Sequence, residues 1–415
     1  MITFFKVEGF KSLRDFEIHF NRGLNVLIGP NAAGKTNICQ ALGLVAASAK
    51  ATLSDYILSL GGARGTFTIE PRTGRKQHNS RAIKASVRGE IRIENQAENK
   101  GESANLRYEY FFLVEFEKEL KLICETFTLR KLMRSSKYRK ILEVQRHGQG
   151  DLFITIKDRD EIGPTKIDAV LRAQKKTSFE VREFPAHSCL VYLSTLIWYC
   201  YKVCEDMESA QTWNIDPHLA KEPSDVLQKS SLSADGRYLS NAIYRLFHTR
   251  SKELAEIAVF LSQLLPTFDK LAPETSEDGS KRWFKIRQRN GIECPSQCLS
   301  DGTVKMIALL VGIYGQKTAT MIIEEPENHL HPWACDLLID FLRDHFTEGG
   351  CVLTTHSESV LNRLRPEEII VVENKDGYTR ATRLSEDREV VDAIIKSGFG
   401  CGYHYVSGSL GGVPR

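Results

Sequence analysis

No apolar run in this 415-residue chain is long enough to cross a bilayer. The longest, Cys189 to Tyr201, holds Ser194 and Thr195 and falls well short of the roughly 20 residues a spanning helix needs. The first residues, Met1-Ile2-Thr3-Phe4-Phe5-Lys6, have neither a basic start nor a long apolar centre, so no secretory leader is expected. Excess charge is lacking too. Lys and Arg number 56 against 53 Asp and Glu, a net charge of +3. That excludes a surface built throughout for polyanions and leaves room only for a local basic patch. No apolar heptad persists for three or four repeats, so no long coiled-coil arm is expected. The ten cysteines follow no framework, as befits free thiols in a reducing cytosol. What is present is the composition of a globular protein, 42% hydrophobic and 26% charged. The length exceeds one compact core and predicts two or three lobes.

The stretch Gly29-Pro30-Asn31-Ala32-Ala33-Gly34-Lys35-Thr36 matches G-x-x-x-x-G-K-[ST]. Leu24–Ile28 before it reads as a short buried strand. Ile38, Ala41, Leu42 and Val45 after it share one helical face. Strand, glycine loop and helix together aim backbone N–H groups at an anion. Lys35 adds a positive charge near the β- and γ-phosphates, and Thr36 a hydroxyl for Mg²⁺.

Upstream, Phe16–Phe20 alternates and Asn21-Arg22-Gly23 turns the chain into the loop strand. Val7–Leu13 reads as an edge strand with a glycine bulge. Downstream, strands are expected near Val87–Ile93, Arg107–Phe116, Leu122–Leu129, Ile141–Val144 and Leu152–Ile156, an antiparallel β region. Between them Arg130–Lys140 holds six basic residues and no acid. It reads either as a nucleic-acid-contacting loop or as a solvated hairpin tip. From about Asp160 to Pro273 the pattern is helical and predicts a compact insertion. Arg282–Arg289 alternates as a strand. Leu299-Ser300-Asp301-Gly302-Thr303 then opens a helix with Ser300 as its N-cap. Thr320–Pro326 is a buried strand ending in Glu324 and Glu325. In a P-loop protein these positions suit Mg²⁺ support and polarisation of the attacking water. Cys351–Ser357 is another buried strand, and its end should bring His356 beside Glu325. His329 and His331 complete no metal-ligand spacing, and Cys294 and Cys298 read as ordinary buried thiols.

In this order, Gly29–Thr36, Leu299–Thr303, Glu324-Glu325-Pro326 and His356 resemble the motif set of ABC-type ATPases of the SMC/RecF kind. They resemble in particular the ATPase part of the overcoming-lysogenization-defect (OLD) family and its relatives in bacterial antiphage systems. The resemblance covers Ile2–Val45 and Trp283–Ile370, with Asp235–Leu239 and the tail Ser407–Pro414 also similar. It implies an α/β fold: an ABC-type P-loop ATPase head with an antiparallel β region and a compact helical insertion. The lobes would span 1–159, 160–280 and 281–415.

The resemblance also implies roles. Asn31, Ala32, Ala33, Gly34, Lys35 and Thr36 would hold ATP, with Thr36 and Glu324 on Mg²⁺. Ser300 and Gly302 would touch the γ-phosphate of ATP on a second copy. Glu325 would be the base, and His356 would sense the γ-phosphate. Two positions depart from the family pattern: Glu324 stands where transporter-type relatives have Asp, and Asp301 where Gly is common.

Only 59 residues follow His356, without an acidic D-x-D cluster. No nuclease is therefore expected in this chain. The expected partners are a second copy, in a homodimer or higher homo-oligomer, and a separate effector, as in the PARIS and Septu systems. The alternative is a RecF/SMC-like ATPase acting on DNA through Arg130–Lys140. A transporter subunit fits less well, because the insertions are large and no membrane-coupling pattern is present. A cytoplasmic location without membrane contact is expected.

Overall fold

Gly23–Ile28 is a strand whose last five residues are all buried. A strand apolar on both faces needs cover on both, and this one lies in the middle of a six-stranded sheet. The order is Thr212–Trp213, Thr320–Glu324, Gly350–Thr354, Gly23–Ile28, Ile369–Lys375, Tyr378–Arg383. The first five run parallel, and the last pairs antiparallel at the edge. The computed structural model describes residues 1–68, 82–94, 103–116, 119–147, 151–157, 178–181, 188–315 and 319–410. The expected boundary at 159/160 and the end of the Ser407–Pro414 tail lie outside them.

The two faces of this sheet serve two cores. Leu27, Ile322, Val352 and Ile370 face a core shared with the helix Lys35–Ala49 and an eight-stranded antiparallel sheet. Val26, Ile28, Ile323 and Leu353 face the other, built from the helices Leu239–Thr249, Ser251–Leu264, Asp301–Gly315 and Pro332–His345.

The eight-stranded sheet runs Leu13–His19, Ile2–Phe10, Ala82–Glu94, Ser103–Phe116, Leu120–Leu132, Tyr138–His147, Asp151–Ile156, Ser178–Val181. Ser103–Phe116 alternates exposed and buried residues, as a sheet with one wet face should. Its dry face packs on the helices Cys189–Leu196 and Trp198–Glu208. A buried carboxylate joins sheet to helix. Glu125 accepts from Tyr110 (2.6 Å) and from the Cys189 N–H (3.0 Å), and Arg146 lies 3.3 Å away.

One expectation changes. Ile2–Phe10 is an interior strand, paired with Leu13–His19 on one side and Ala82–Glu94 on the other. A register shift falls between Ile2 and Phe4, and Gly9 itself takes φ 83° within the strand. Its second neighbour is about eighty residues distant, beyond the reach of local pattern. The Arg130–Lys140 segment is the end of a hairpin. Arg130 pairs with Glu109 (3.5 Å) and Lys140 with Glu143 (2.8 Å), acids of the same sheet.

The region expected to be helical holds five helices between Cys189 and Leu264. Short strands run through the same stretch. Thr212–Trp213 joins the central sheet, while Ser224–Asp225 and Phe268–Thr275 pair with Lys281–Gln288. Runs of two residues leave no readable alternation.

Candidate active site

The parallel register decides what meets at the sheet edge. Glu324 lies beside Thr354, and Thr354 beside Leu27. The chain therefore leaves three neighbouring strands at Gly29, Glu325 and Thr355, all at the carboxyl ends where ligands bind in open α/β sheets.

The loop after Leu27-Ile28 turns through Ala32 (φ 64°) and Gly34 (φ 107°) into the helix Lys35–Ala49. A side chain on Gly34 would put its Cβ 2.0 Å from Thr379 Oγ1. Thr379 braces the loop from the edge strand, donating to the Ala33 carbonyl (3.0 Å) and lying 2.7 Å from Ser12 Oγ. Asn37 donates to the same serine (2.8 Å). Lys35 is buried, and its ammonium donates to the carbonyls of Gly29 (2.7 Å) and Pro30 (3.1 Å). Burial lowers its pKa to about 8, against the pull of the Glu325 carboxylate.

Glu324 accepts a hydrogen bond from Thr36, and burial raises its pKa above the usual carboxylate range. Its Oε1 is buried with no hydrogen-bond donor among the described residues. A hydroxyl and one spare carboxylate oxygen are a hard donor pair. They fit a magnesium ion that takes its remaining ligands from phosphate and water. No cluster of three or more His, Cys, Asp or Glu side chains that could hold another metal occurs among the described residues.

Glu325 begins the next turn at φ 43°, a left-handed conformation costly for a residue with a Cβ. Its N–H donates to the Thr354 carbonyl (3.0 Å), and its own carbonyl accepts from Lys305 (2.9 Å). Asn328 donates to Glu325 Oε2 (2.8 Å), and His356 Nε2 stands 3.9 Å from Glu325 Oε1. Burial and the Lys35 charge both lower the His356 pKa, which favours the neutral ring.

Ser300 accepts from the Thr303 N–H (3.2 Å), the N-cap that its spacing predicts. Asp301 is ion-paired to Lys221 (2.6 Å), which holds its carboxyl below the usual range. Its charge is therefore balanced at the helix end. Among the described residues no hydrogen bond or ion pair joins Ser300 or Gly302 to Lys35, Thr36, Glu324, Glu325 or His356. Asn31 and Ala32 sit at the loop tip, with Ala33 buried behind them.

His331 caps the following helix by accepting from the Trp333 N–H (3.3 Å). Cys298 is exposed and Cys294 only half-buried, contrary to the expectation of buried thiols. They lie on a short strand and a single turn, which give little cover. Among the side chains that escaped the sequence reading are Lys305, Asn328, Thr379 and Tyr405. Tyr405, in the C-terminal helix Cys401–Val406, takes a hydrogen bond from the Gly29 backbone. Only Lys305 carried a signal, as one charge in the apolar run from Val304 to Val311.

Two family models match successive parts of the chain. An "AAA ATPase domain" covers residues 1–191. An "AAA domain, putative AbiEii toxin, Type IV TA system" covers residues 205–362. A "DNA replication and repair protein RecF" of Limosilactobacillus reuteri is 32% identical over 111 residues, 26% of this chain and 26% of that one. The chain thus aligns with about a quarter of that relative's length. A "DNA double-strand break repair Rad50 ATPase" of Methanopyrus kandleri is 35% identical over 69 residues, 17% of this chain and 8% of that one. Among solved structures, an SMC head bound to the C-terminal winged-helix domain of ScpA matches with TM-score 0.47 and 14% identity, covering 92% of this chain and 96% of that one. The SMC head domain from Thermotoga maritima matches at 0.39 and 12%, covering 92% and 98%. The structural matches are too loose to carry weight. The two ATPase models and the RecF and Rad50 relatives agree with the strand–loop–helix motif and the carboxylates at its edge: the chain is similar to P-loop ATPases of the RecF and Rad50 kind.

Proposed function

We propose that this chain is a nucleotide-switched scaffold, in which two copies close over ATP and the closed state controls a separate effector protein in antiphage defence. The observation that carries the reading is a separation. Lys35, Thr36, Glu324, Glu325 and His356 gather at one sheet edge, while Ser300 and Gly302, at the start of the helix Asp301–Gly315, make no hydrogen bond or ion pair with them among the described residues; that helix touches the cluster only further along, where Lys305 donates to the Glu325 carbonyl. A site that covers one side of a triphosphate needs a second surface, and a second copy supplies it. A helix N-terminus with a capping serine suits that surface. The toxin-system description of the second family model is in keeping with an effector-linked role.

In this mechanism the N–H groups of Asn31, Ala32, Ala33 and Gly34 cradle the phosphates. Lys35 leaves the Gly29 and Pro30 carbonyls for them. Thr36 and Glu324 would hold Mg²⁺, which would supply positive charge against the charge developing on the phosphates. Glu325 accepts the proton of the attacking water, and His356 contacts the γ-phosphate. Hydrolysis removes the bridge between copies and opens the pair. No described helix is long and apolar enough to cross a membrane, and we place the protein in the cytoplasm.

The test mixes two inactive variants, Lys35→Ala and Ser300→Arg. A mixed twofold pair keeps one intact site of two, so an equal mixture should recover about a quarter of wild-type ATPase activity. No recovery despite proven subunit exchange would sink the shared site.

A second reading, a clamp acting directly on DNA, is favoured by the RecF and Rad50 relatives. It requires salt-sensitive DNA binding that weakens when Arg130–Lys140 is neutralised.

A further inference from the structure

Glu327 follows the proposed base by two residues, and nothing above gives it a task. Its Oε1 accepts two hydrogen bonds from the neighbouring strand's exit, Thr355 Oγ1 at 2.6 Å and the His356 N–H at 3.1 Å. Hydrogen bonds to a carboxylate are the strong ones. The Thr355 hydroxyl oxygen in turn accepts from the Ser357 N–H (3.0 Å), so its own hydrogen is directed to Glu327. The turn that presents Glu327 is itself held. Glu325 is fixed at φ 43° by Thr354 and by Lys305, and Pro326 stiffens the step between the two acids. Glu327 is therefore a short strut between two strand ends, one bearing Glu325 and the other His356.

The geometry points to Glu327 as a positioning residue for ATP hydrolysis, one that sets the place of the His356 ring against Glu325 and the γ-phosphate. This rests on the reading that His356 and Glu325 take part in the chemistry. The strut matters because His356 Nε2 stands 3.9 Å from Glu325 Oε1, outside hydrogen-bond reach, so small shifts decide whether the ring engages. A misplacement of about 1 Å can cost about 10²-fold in rate.

A simpler role competes. Lys305 is almost wholly buried, and the Glu327 and Glu325 carboxylates favour its charged form against burial. Glu327 Oε2 is buried with no hydrogen-bond partner among the described residues. Glu327 could then be no more than a counter-charge for Lys305, contributing stability alone.

Two conservative variants separate the roles. Glu327→Gln removes the charge but keeps an oxygen where Oε1 now sits. Glu327→Asp keeps the charge but withdraws the oxygen by one methylene. A strut predicts that Glu327→Gln keeps the single-turnover hydrolysis rate within about threefold. It also predicts that Glu327→Asp is slower by about 10–100-fold, with the affinity for a fluorescent ATP analogue unchanged. The reverse order, Asp active and Gln unfolded or slow, overturns the proposal in favour of the counter-charge.

The double variant completes the test. If Glu327 acts through His356, then Glu327→Asp with His356→Ala is no slower than His356→Ala alone. Multiplying effects overturn the proposal. Wild-type turnover by His356→Ala would instead show that the underlying reading of His356 has failed. Loss of folding in both Glu327 variants assigns the residue to stability and also overturns it.

Discussion

Lys35 makes two hydrogen bonds that a bound nucleotide would take from it. Its depressed pKa gives a pH signature to the nucleotide-free protein. In the folded state the group titrates near 8, and in an unfolded chain near its ordinary 10.5. Between those values the unfolded state binds more protons, so this group's contribution to stability rises with pH across that window. Its unfavourable contribution is fully present below about pH 8 and is relieved as pH climbs towards 10.5. Lys35→Met lacks the group. Urea unfolding from pH 7 to 10 should show the variant's advantage over wild type shrinking as pH rises. A pH-independent difference would count against a buried, charged Lys35. At this scale the motifs named Lys35, Thr36, Glu324 and Glu325, because a P-loop and its partner strand require those residue types at those places. They did not name Glu327. A carboxylate's reach across to another strand is a property of register, and the local sequence does not contain it.

At the scale of elements, the start of the helix Asp301–Gly315 is pressed against the turn that carries Asn328 and His329. A Cβ built on Gly302 would come 2.4 Å from the His329 carbonyl oxygen. That oxygen belongs to backbone, and His329 itself sits at φ 68°, so neither side can yield cheaply. Gly302→Ala should therefore cost about 1–3 kcal/mol, measured as a lower urea midpoint at unchanged slope. It should also move the Ser300 end away from its wild-type position and weaken ATP-dependent pairing of copies. An alanine variant with wild-type stability and pairing would mean that the close approach is not maintained in solution. The glycine was legible as part of a motif, and the helix start as a capped one. The physical reason for glycine here came only with the fold, because the clashing atom lies 27 residues further on.

For the whole molecule, the six-stranded sheet is a shared wall. Ile322 and Ile323 are neighbours on one strand, yet the first belongs to the core under the antiparallel sheet and the second to the core under the helices. Replacing either with alanine should cost about 2–5 kcal/mol. Both cores rest on the same strands, so neither lobe should lose its packing and leave the other intact. Circular dichroism and tryptophan fluorescence should report coincident transitions for Ile322→Ala and for Ile323→Ala. Two separated transitions in either variant would show that the cores unfold independently.

The strand–loop–helix motif is a local matter, and the sequence by itself determined it. Eight consecutive residues match the phosphate-loop pattern because two glycines, a lysine and a threonine fall at its required spacing within one strand–helix step. The buried strands ending in Glu324-Glu325 and in Thr355-His356 announce themselves by short apolar runs. The alternating strands of the β region do so by their period. Only tertiary structure decided which strand lies beside which: that Ile2–Phe10 is interior, that Thr212–Trp213 joins the central sheet, and that Tyr405 reaches Gly29. It also decided which charges neutralise one another, Lys221 with Asp301 and Arg130 with Glu109. These pairings join residues far apart in the chain. Their free energy depends on distance and burial, and neither is defined until the sheet has closed its register.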